Sequence, residues 1–578
     1  MLTKKIIAAL LLVVCTPAFA ENASISPEAA TGVHHKPLIY GRHDMVVTNN
    51  HWASQAASQI LKQGGNAVDA AVAAAFVLGL TEPSSSGLGG GGFALTYDQS
   101  KKQLRAYDGR EIAPVTATAD LFVNAKGQPM PFKDAMLNFK SVGVPGEVAM
   151  LYKMQRQQGA LKWSNVVQPA IDLAIKGFPM SPRLHDLLVM DRNILIKNPY
   201  VKVIYFTSAG DVKPINTMIT NPDYANSLTI VAKKPRDFYT GKIGRDIVAT
   251  INQAAGHDIY SMMDLRNYSP LEGHALCSNY RSDTICSTAF ASGGVTVLEL
   301  MKIYANNYSG KTYSGGSWMY HFLEAAKLAY ADRNQYIADP AFVQQPLDGL
   351  LANKYLLQRS KLVTGKPLLT PVLAGNPKGI NPKYAPDMSP KGHGTTSLAI
   401  VDSQGNAVSM TLTIEHQFGS HLFVDGFFLN NELTDFSFSA TDRHGKPVAN
   451  RVESLKRPRS AIASVMVFNK KGELIVISGS PGGSQIICYV AKNLIQMLDF
   501  NKNPAQASAS GNLCAANDTP VIEAGSDLVG YLKALNQKGQ TTINQSELLS
   551  GVVNIKRAKQ GGWYGAADPR REGEAIGG

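Results

Sequence analysis

A formal net charge of +12 over 578 residues raises the question whether the chain binds nucleic acid or another acidic surface. The lysines and arginines are scattered, with no dense basic tract and no zinc-finger or helix-turn-helix spacing, so we do not expect a nucleic-acid partner. A hydrophobic content of 44% and a charged content of 17% are typical of an ordinary globular protein, and beyond the N-terminus no segment has the length and apolarity of a membrane anchor.

The N-terminus has the parts of a secretory signal peptide. Two lysines precede an apolar run from Ile6 to Cys15, and Ala18-Phe19-Ala20 is a small-x-small cleavage pattern. The apolar run is about half the ~20 residues that a membrane-spanning helix needs. We therefore predict that residues 1–20 are removed after Ala20, that the mature chain begins at Glu21, and that it is exported to the periplasm or the surrounding medium.

Four cysteines remain after export, at positions 277, 286, 488 and 514. Cys277 and Cys286 flank a segment that can form a hairpin, and an oxidising compartment would allow them to join in a disulfide. Spacing alone leaves the pairing open, because four cysteines allow three pairings. The cysteine spacings fit no zinc site and no HExxH pattern occurs, so no metal is expected.

Residues 51–80 predict two alanine-rich helices, the first ending at Gly64-Gly65 and the second capped by Asn66. The glycines at 87 and 89–92 follow a helix and precede a strand, which is the reverse of the order in a dinucleotide-binding loop. They predict a tight turn with close backbone packing instead. Helical spacing returns over residues 146–190 and 318–338, where the aromatic and leucine stripe is typical of core.

Residues 361–393 differ from their surroundings, because they are rich in proline, glycine and lysine and have little periodicity. They predict an exposed connection. Strong β alternation follows: residues 395–415 predict a hairpin about the turn SQGN, and SAIASVMVF, NKKG and ELIVISG predict a second hairpin. The second hairpin leads through SPGGS into an apolar helix, QIICYVAKNLIQML.

The first hairpin has a defined register. Folding it about SQGN pairs residues whose numbers sum to about 808, which places Thr413 opposite Thr395 on one face of the sheet. The hairpin alone favours the simple interpretation that the two threonines suit a β-sheet. Their position beside a flexible connection nevertheless makes the two hydroxyls candidates for chemistry.

The loop from Gly479 to Ser484 joins a strand end to a helix start. Backbone N–H groups are free at such a helix start, and glycines let a ligand oxygen approach them closely. The lysine and hydroxyl residue of a phosphate-binding loop are missing. The same geometry would stabilise the oxyanion of an acyl-transfer reaction.

Taken together, these motifs resemble the γ-glutamyltransferase family of the N-terminal nucleophile hydrolase class. The resemblance runs from about His51 to the C-terminus, and the combination of its motifs is highly specific. The motifs are GGNAVDAAVAAAFVLGLTEPSSSGLGGGGF, DGREIAPVTATADLF, VGVPGEV, LAYADRNQYIADP, TTSLAIVDSQGNAVSMTLT, FLNNELTDFS, KRPRS and SGSPGGS.

This resemblance implies a precursor that is cut between Gly394 and Thr395 through an N-to-O acyl shift. Residues 21–394 would form a large subunit and residues 395–578 a small catalytic subunit, and the two would remain associated as a heterodimer. The implied fold is α/β (α+β), a four-layer αββα sandwich formed jointly by both fragments. No metal and no organic cofactor is implied.

The resemblance also assigns roles to individual residues. Thr395 matches the nucleophile, Thr413 the threonine that orients it, and Gly482 and Gly483 the oxyanion hole. Arg110 matches the arginine that binds the α-carboxylate of the substrate, although by itself it would pass for a surface residue paired with Glu111 or a neighbour.

Two acidic residues, Glu432 and Asp435, match the positions that receive the α-ammonium group of the substrate. On their own they would pass as loop carboxylates. Residues 437–455 correspond in position to a lid loop of some relatives, but they contain Phe438 and no tyrosine or tryptophan.

Two positions depart from the commonest family pattern. Glu415 stands where an asparagine is frequent, which adds negative charge near the ammonium site. Ser460-Ala461 replaces a pair of serines, which removes one hydroxyl donor to the α-carboxylate. Loss of such a hydrogen bond costs about 1.5 to 3 kcal/mol, so weaker binding or a changed acyl preference is expected.

The expected reaction is acylation of Thr395 by a γ-glutamyl donor such as glutathione, followed by transfer to water or to an amino-acid or peptide acceptor. One alternative is a glutaryl or cephalosporin-type acylase of the same class, against which Arg110, Glu432 and Asp435 argue, because a glutaryl group has no α-amino group. Another is an uncleaved, non-enzymatic γ-glutamyl peptide-binding relative. The intact Gly394-Thr395 and SPGGS motifs argue against it.

Overall fold

A computed structural model describes residues 34–380, 384–387, 394–540 and 542–578. The predicted signal peptide at residues 1–20 lies outside this part of the chain, as do the last residues of the predicted connection before Gly394. Within the described ranges, no helix combines the length and the apolar character that crossing a bilayer requires.

The helices are distributed along most of the described chain. They are α1 (His51–Lys62), α2 (Ala67–Thr81), α3 (Phe132–Met136), α4 (Glu147–Gln158), α5 (Trp163–Lys176), α6 (Pro182–Met190), α7 (Arg192–Leu195), α8 (Pro199–Tyr205), α9 (Pro222–Lys233), α10 (Asp237–Thr240), α11 (Lys242–Ala255), α12 (Met262–Arg266), α13 (Gly294–Asn307), α14 (Ser317–Tyr336), α15 (Leu347–Leu350), α16 (Asn353–Ser360), α17 (Ile486–Leu498), α18 (Pro504–Ala509) and α19 (Leu532–Gln537).

The strands lie mostly before residue 110, between residues 271 and 288, and after residue 394. They are β1 (Ile39–Gly41), β2 (Met45–Thr48), β3 (Gly91–Asp98), β4 (Gln103–Asp108), β5 (Phe178–Pro179), β6 (Met218–Ile219), β7 (Leu271–Gly273), β8 (Ala275–Tyr280), β9 (Asp283–Thr288), β10 (Thr395–Val401), β11 (Ala407–Thr413), β12 (Phe423–Val424), β13 (Phe427–Phe428), β14 (Val465–Phe468), β15 (Leu474–Gly479), β16 (Leu513–Cys514), β17 (Val521–Glu523), β18 (Asn544–Ser546), β19 (Val553–Arg557), β20 (Trp563–Ala567) and β21 (Glu574–Gly577).

Two large antiparallel sheets organise these strands. Sheet I has the order β21-β2-β10-β11-β3-β4-β7, and sheet II has the order β1-β20-β19-β15-β14-β9-β8. Both sheets contain strands from before Gly394 and strands from after it, paired side by side. The two segments of the chain therefore build one common core.

The sheets pack face to face, and helices cover their outer faces. Side chains such as Val47, Ala399 and Ile477 fill the space between the sheets. Helices α1 and α2 pack on the outer face of sheet I and α13 and α17 on that of sheet II, while α5 packs against α2 and α14 against α13. Because both faces of β10 and β11 are covered, all their residues are buried. The predicted αββα sandwich is confirmed.

The predicted helices also form. Asn66 caps α2 by accepting the N–H groups of Val68 and Asp69, and the Asp69 carboxylate accepts the N–H of Asn66 in return, which completes a capping box. Residues 146–190 contain α4, α5 and α6, and residues 318–338 match α14 closely.

The predicted exposed connection follows α16. Its described residues contain no helix or strand, and Leu369 and Leu373 are 91% and 80% exposed. Because neither leucine is buried, this stretch does not form a core of its own. Residues 381–383 and 388–393 of the connection lie outside the described ranges.

The cysteines form two disulfides. Cys277 pairs with Cys286 across the β8–β9 hairpin, which is the hairpin that the sequence allowed. Cys488 in α17 pairs with Cys514 in β16. The second bond ties the helix that follows the glycine loop to a neighbouring strand.

The glycines before β3 make close backbone contacts, as predicted. A Cβ atom at Gly89 would lie 2.1 Å from the carbonyl oxygen of Phe428, and one at Gly90 would lie 2.2 Å from that of Thr413. No side chain fits in either position. This turn therefore lets the chain pass directly against the end of β11.

We expect Gly89→Ala to destabilise the protein by about 3 kcal/mol, because the added methyl group overlaps a backbone atom that cannot rotate away. A marked fall in the thermal unfolding midpoint would measure this. Gly530→Ala is the matched control, since a Cβ there meets no atom within 4 Å. Equal midpoints for the two variants would contradict the packing argument.

Candidate active site

The β10–β11 hairpin has the predicted register. Thr395 pairs with Thr413, and each further pair down to Val401 and Ala407 keeps the sum of 808. Leu398 packs toward the helices on sheet I, whereas Ala399 and Val401 face sheet II. By alternation, the side chain of Thr395 lies on the face between the sheets.

The hydroxyl of Thr413 contacts the peptide bond that precedes Thr395. Its Oγ1 donates to the carbonyl oxygen of Gly394 at 2.6 Å, and it accepts the N–H of Glu415 at 2.8 Å. Both threonines are almost fully buried. Thr413 therefore polarises the Gly394 carbonyl.

Residues from distant parts of the chain hold the beginning of β10, and sequence reasoning did not identify them. The Asn49 side chain accepts the N–H of Ser397 at 2.7 Å, and Arg571 donates to the carbonyl of Thr395 at 3.4 Å. The hydroxyls of Ser397 and Thr411 lie 2.8 Å apart. These contacts limit movement of the strand end that carries Thr395.

The glycine loop lies between β15 and α17, as predicted. Gly482 and Gly483 have φ angles of +132° and +55°, which side chains rarely adopt. A Cβ at Gly482 would lie 2.4 Å from the ring of Tyr489. Tyr330 donates its hydroxyl to the Ser484 carbonyl, which anchors the loop from the side of α14.

A pocket of about 320 Å³, counting its open mouth, connects these parts. It brings together most of the predicted site residues, and it adds four that sequence reasoning did not assign. The predicted residues that line it are Arg110, Thr395, Thr413, Glu415, Asp435, Ser460, Ala461 and Gly483; the additional ones are Arg333, Ile462, Ser484 and Ile486.

Arg110 is buried and forms ion pairs with Glu432 and Asp435. Its Nε also donates to the Pro458 carbonyl at 3.2 Å. The simple interpretation of Arg110 as a surface residue paired with Glu111 is wrong. The three residues predicted to bind the two charged groups of an amino acid do lie together.

The pocket carries an excess of negative charge around Arg110. Carboxylate oxygens of Glu415, Glu432 and Asp435 lie within 4.8 Å of one another. Such a cluster is close enough to surround a cation, and one guanidinium does not neutralise three carboxylates. The arrangement suits a ligand that brings an ammonium group.

One wall of the pocket contains Ser460 and Ala461. Ser460 Oγ accepts the N–H of Ile462 at 3.1 Å. Ala461 contributes only a methyl group, so the second hydroxyl of the common family pattern is absent at this wall.

The model of the gamma-glutamyltranspeptidase family matches residues 53–578. The chain belongs to this family. It is accordingly an enzyme of the γ-glutamyltransferase and glutathione hydrolase type.

Curated relatives support the same assignment across the full length. The chain is 32% identical over 556 residues to a glutathione hydrolase proenzyme of Bacillus subtilis (strain 168), covering 94% of this chain and 93% of the relative. It is 32% identical over 587 residues to a glutathione hydrolase proenzyme of Escherichia coli (strain K12), covering 98% and 97%.

Solved structures share the fold. A cephalosporin acylase from Bacillus halodurans superposes with a TM-score of 0.82 at 24% identity, covering 96% of this chain and 99% of that one. The γ-glutamyltranspeptidase of Helicobacter pylori superposes with a TM-score of 0.51 at 28% identity, covering 57% of this chain and 91% of that one.

Two further features of this family member lie near the pocket. Phe438, in the segment 437–455, stacks against Phe122 and Phe132 with ring centroids 4.7 and 5.8 Å away. That segment is therefore anchored at Phe438, and none of its residues is among those lining the pocket.

Glu111 is the second feature. It is fully buried, and neither carboxylate oxygen has a hydrogen-bond partner from another described residue. Burial raises its pKa to about 8, although Arg110 opposes the shift. Its Oε2 lies 2.6 Å from the position of a Cβ on Gly91, the residue opposite Thr413. A neutral carboxyl group thus lies on the face that carries the two threonines.

We expect Glu111→Gln to change how stability depends on pH. The native pKa of about 8 exceeds the ordinary value of 4.5, so the unfolded chain loses this proton first and the free energy of unfolding falls as the pH rises from 4.5 to 8. In the parent protein, this fall in the free energy of unfolding amounts to up to about 5 kcal/mol, and it should be absent from the variant.

Thermal unfolding at pH 5 and pH 9 would measure the difference. The unfolding midpoint of the variant should rise relative to that of the parent protein between pH 5 and pH 9. Glu473→Gln, at an exposed turn, should have the same midpoint as the parent at both pH values. A constant difference between Glu111→Gln and the parent would show that the carboxyl group is already ionised in the native state.

Proposed function

We propose that the chain is a precursor that cuts itself between Gly394 and Thr395, and that the cut enzyme uses Thr395 to transfer γ-glutamyl groups. The observation that carries this proposal is the 2.6 Å hydrogen bond from Thr413 Oγ1 to the Gly394 carbonyl. That carbonyl belongs to the peptide bond directly before the predicted nucleophile.

The cleavage would proceed by an N-to-O acyl shift. Thr395 Oγ attacks the Gly394 carbonyl carbon, and Thr413 stabilises the negative charge that develops on the carbonyl oxygen. The C–N bond then breaks, which leaves an ester on Thr395 and frees its amine. Water hydrolyses the ester and releases the Gly394 carboxylate.

The freed amine would be the general base of the mature enzyme. An α-amino group has a pKa near 8, so its neutral form can take the proton of the neighbouring hydroxyl. Thr395 Oγ would attack the γ-carbonyl of the donor, while the backbone N–H groups of Gly482 and Gly483 stabilise the oxyanion. The proton passes to the leaving amine, and water or an acceptor amine then removes the acyl group.

The fold supports continued association after such a cut. Sheet I contains β2, β3, β4 and β7 from before Gly394 and β10, β11 and β21 from after it. Separating residues 21–394 from 395–578 would expose the core between the sheets. We therefore expect a heterodimer.

The charges of the pocket support a γ-glutamyl donor. Its α-ammonium group would meet Glu415, Glu432 and Asp435, and its α-carboxylate would meet Arg110. Glutathione is the donor in the names of the relatives, and water, amino acids or peptides are the proposed acceptors. No step in this scheme requires a metal or an organic cofactor.

We also propose that the precursor is exported. Residues 1–20 would direct the precursor to the periplasm or the medium and would be removed after Ala20.

N-terminal sequencing of the purified mature protein tests both cuts. We expect one fragment that begins TTSLAI and a larger fragment that begins at Glu21. Thr395→Ala should remain a single chain without amidase activity. Thr413→Ala should be cut about 10-fold more slowly or worse, because it loses a hydrogen bond to developing charge.

Thr413→Ser is the matched control for the hydroxyl and should be cut at nearly the parent rate. A Thr395→Ala protein that is still cut at residue 394, or a small fragment with another N-terminus, would refute the self-cleavage scheme.

Comparison of γ-glutamyl and glutaryl anilides tests the donor. We expect the parent enzyme to prefer the γ-glutamyl compound. Glu415→Gln should lower kcat/KM for that compound by about 10-fold, because a charged partner of the ammonium group is lost. The same variant should not lower glutaryl turnover, and Glu547→Gln, at an exposed position, should change neither. Equal or faster glutaryl turnover by the parent would overturn the donor assignment in favour of an acylase.

A further inference from the structure

Arg333 has a setting unlike that of Arg110. Its side chain is buried and lines the pocket that contains Thr395. Its Nη2 donates to the Ser460 carbonyl at 2.9 Å, but its Nε has no hydrogen-bond partner among the described residues. Within the residues that the structure describes, no carboxylate lies within ion-pair distance of Arg333.

The arginines around it are paired. Arg110 contacts Glu432 and Asp435, and Arg459 forms an ion pair with Asp387 at 2.9 Å. Arg459 also donates to the carbonyl of Arg333 at 3.1 Å, which fixes the backbone from which the unpaired side chain extends.

An unpaired cation inside a protein is costly, because it has lost water without gaining a partner. Burial first, and then the charge of Arg459, lower the pKa of Arg333 to about 9, although Asp435 and Asp387 partly oppose this. An anionic group that enters the pocket would supply the missing partner. The planar guanidinium is well suited to a carboxylate.

The location of the guanidinium indicates which part of a donor it would meet. Its bond to the Ser460 carbonyl places it at the wall formed by Ser460 and Ala461. This is the wall where the second hydroxyl donor to the α-carboxylate is missing. Arg110 reaches the neighbouring carbonyl of Arg459 at 3.1 Å, so both guanidiniums attach to the same short segment.

We infer that Arg333 is a specificity-determining residue that binds the α-carboxylate of the donor together with Arg110. Its guanidinium lies at the wall where Ala461 offers no hydroxyl donor. The inference rests on the proposed γ-glutamyl activity and adds a residue to its donor site. With it, the pocket offers two guanidiniums to the carboxylate, while Glu415 and Asp435, which also line it, would meet the ammonium group.

Three donor anilides separate this role from a structural one. The γ-glutamyl compound has both charged groups, the glutaryl compound has only the carboxylate, and the 4-aminobutyryl compound has only the amine. Arg333→Gln should lower kcat/KM for the first two by about 10- to 100-fold, the loss expected for a hydrogen bond to a charged group. The value for the 4-aminobutyryl compound should stay close to that of the parent.

Matched variants complete the experiment. Ala461→Ser should partly restore γ-glutamyl turnover in the Arg333→Gln background, because it returns a donor to the same wall. Arg281→Gln, on the β8–β9 turn, should leave all three donors unchanged. Appearance of both fragments on a denaturing gel shows that a variant has folded and been cut.

If Arg333→Gln does not yield both fragments, Arg333→Lys and Ala461→Ser in the parent background replace it. Arg333→Lys should lower kcat/KM for the γ-glutamyl and glutaryl compounds, and Ala461→Ser should raise it. Neither variant should change kcat/KM for the 4-aminobutyryl compound. Equal effects on all three donors, or none, would overturn the role of Arg333 while leaving the γ-glutamyl activity of the parent intact. A parent enzyme that cleaves none of the donors would instead refute the proposed function.

Discussion

The pairing of β10 with β11 is the constraint on which the rest of the site depends. Its register places Thr395 opposite Thr413, and the next strand, β3, places Gly91 opposite Thr413 in turn. A shift of one residue in this pairing would place the two hydroxyls on opposite faces of the sheet, because side chains alternate between the faces of a sheet. The hydrogen bond from Thr413 to the Gly394 carbonyl exists only in this register.

Charge decides what the buried pocket can hold. Arg110 is stable at its depth because Glu432 and Asp435 accompany it, whereas Glu111 avoids the cost of burial by keeping its proton. In the described structure, Arg333 has no carboxylate beside it, and its Nε has no hydrogen-bond partner. The pocket therefore contains one cation that has no carboxylate within ion-pair distance. Beside it lies an acidic cluster whose negative charge exceeds the positive charge of Arg110. A zwitterionic ligand complements both at once.

The architecture is compatible with the proposed cut in the middle of the chain. Both sheets combine strands from before Gly394 with strands from after it, so the core between the sheets belongs to neither segment alone. The new chain end would lie at the beginning of a buried strand that Asn49 and Arg571 already hold. The described residues of the exposed connection are also held to the rest of the chain, for example by the ion pair between Asp387 and Arg459 and by the hydrogen bond from the Gly375 N–H to Asp332.

The local features could be predicted from the amino-acid sequence: the Asn66 cap, the tight glycine turn, the hairpin register, and the strand-to-helix loop at Gly482 and Gly483. Each depends on residues that are close in the chain, so spacing and residue type are sufficient to predict it. Three other features became visible only in the folded chain: the pairing of Arg110 with Glu432 and Asp435, the disulfide between Cys488 and Cys514, and the place of Arg333 in the pocket. These contacts join residues far apart in the sequence, and the burial that gives Arg333 and Glu111 their unusual electrostatics arises only when the two sheets and their helices pack together.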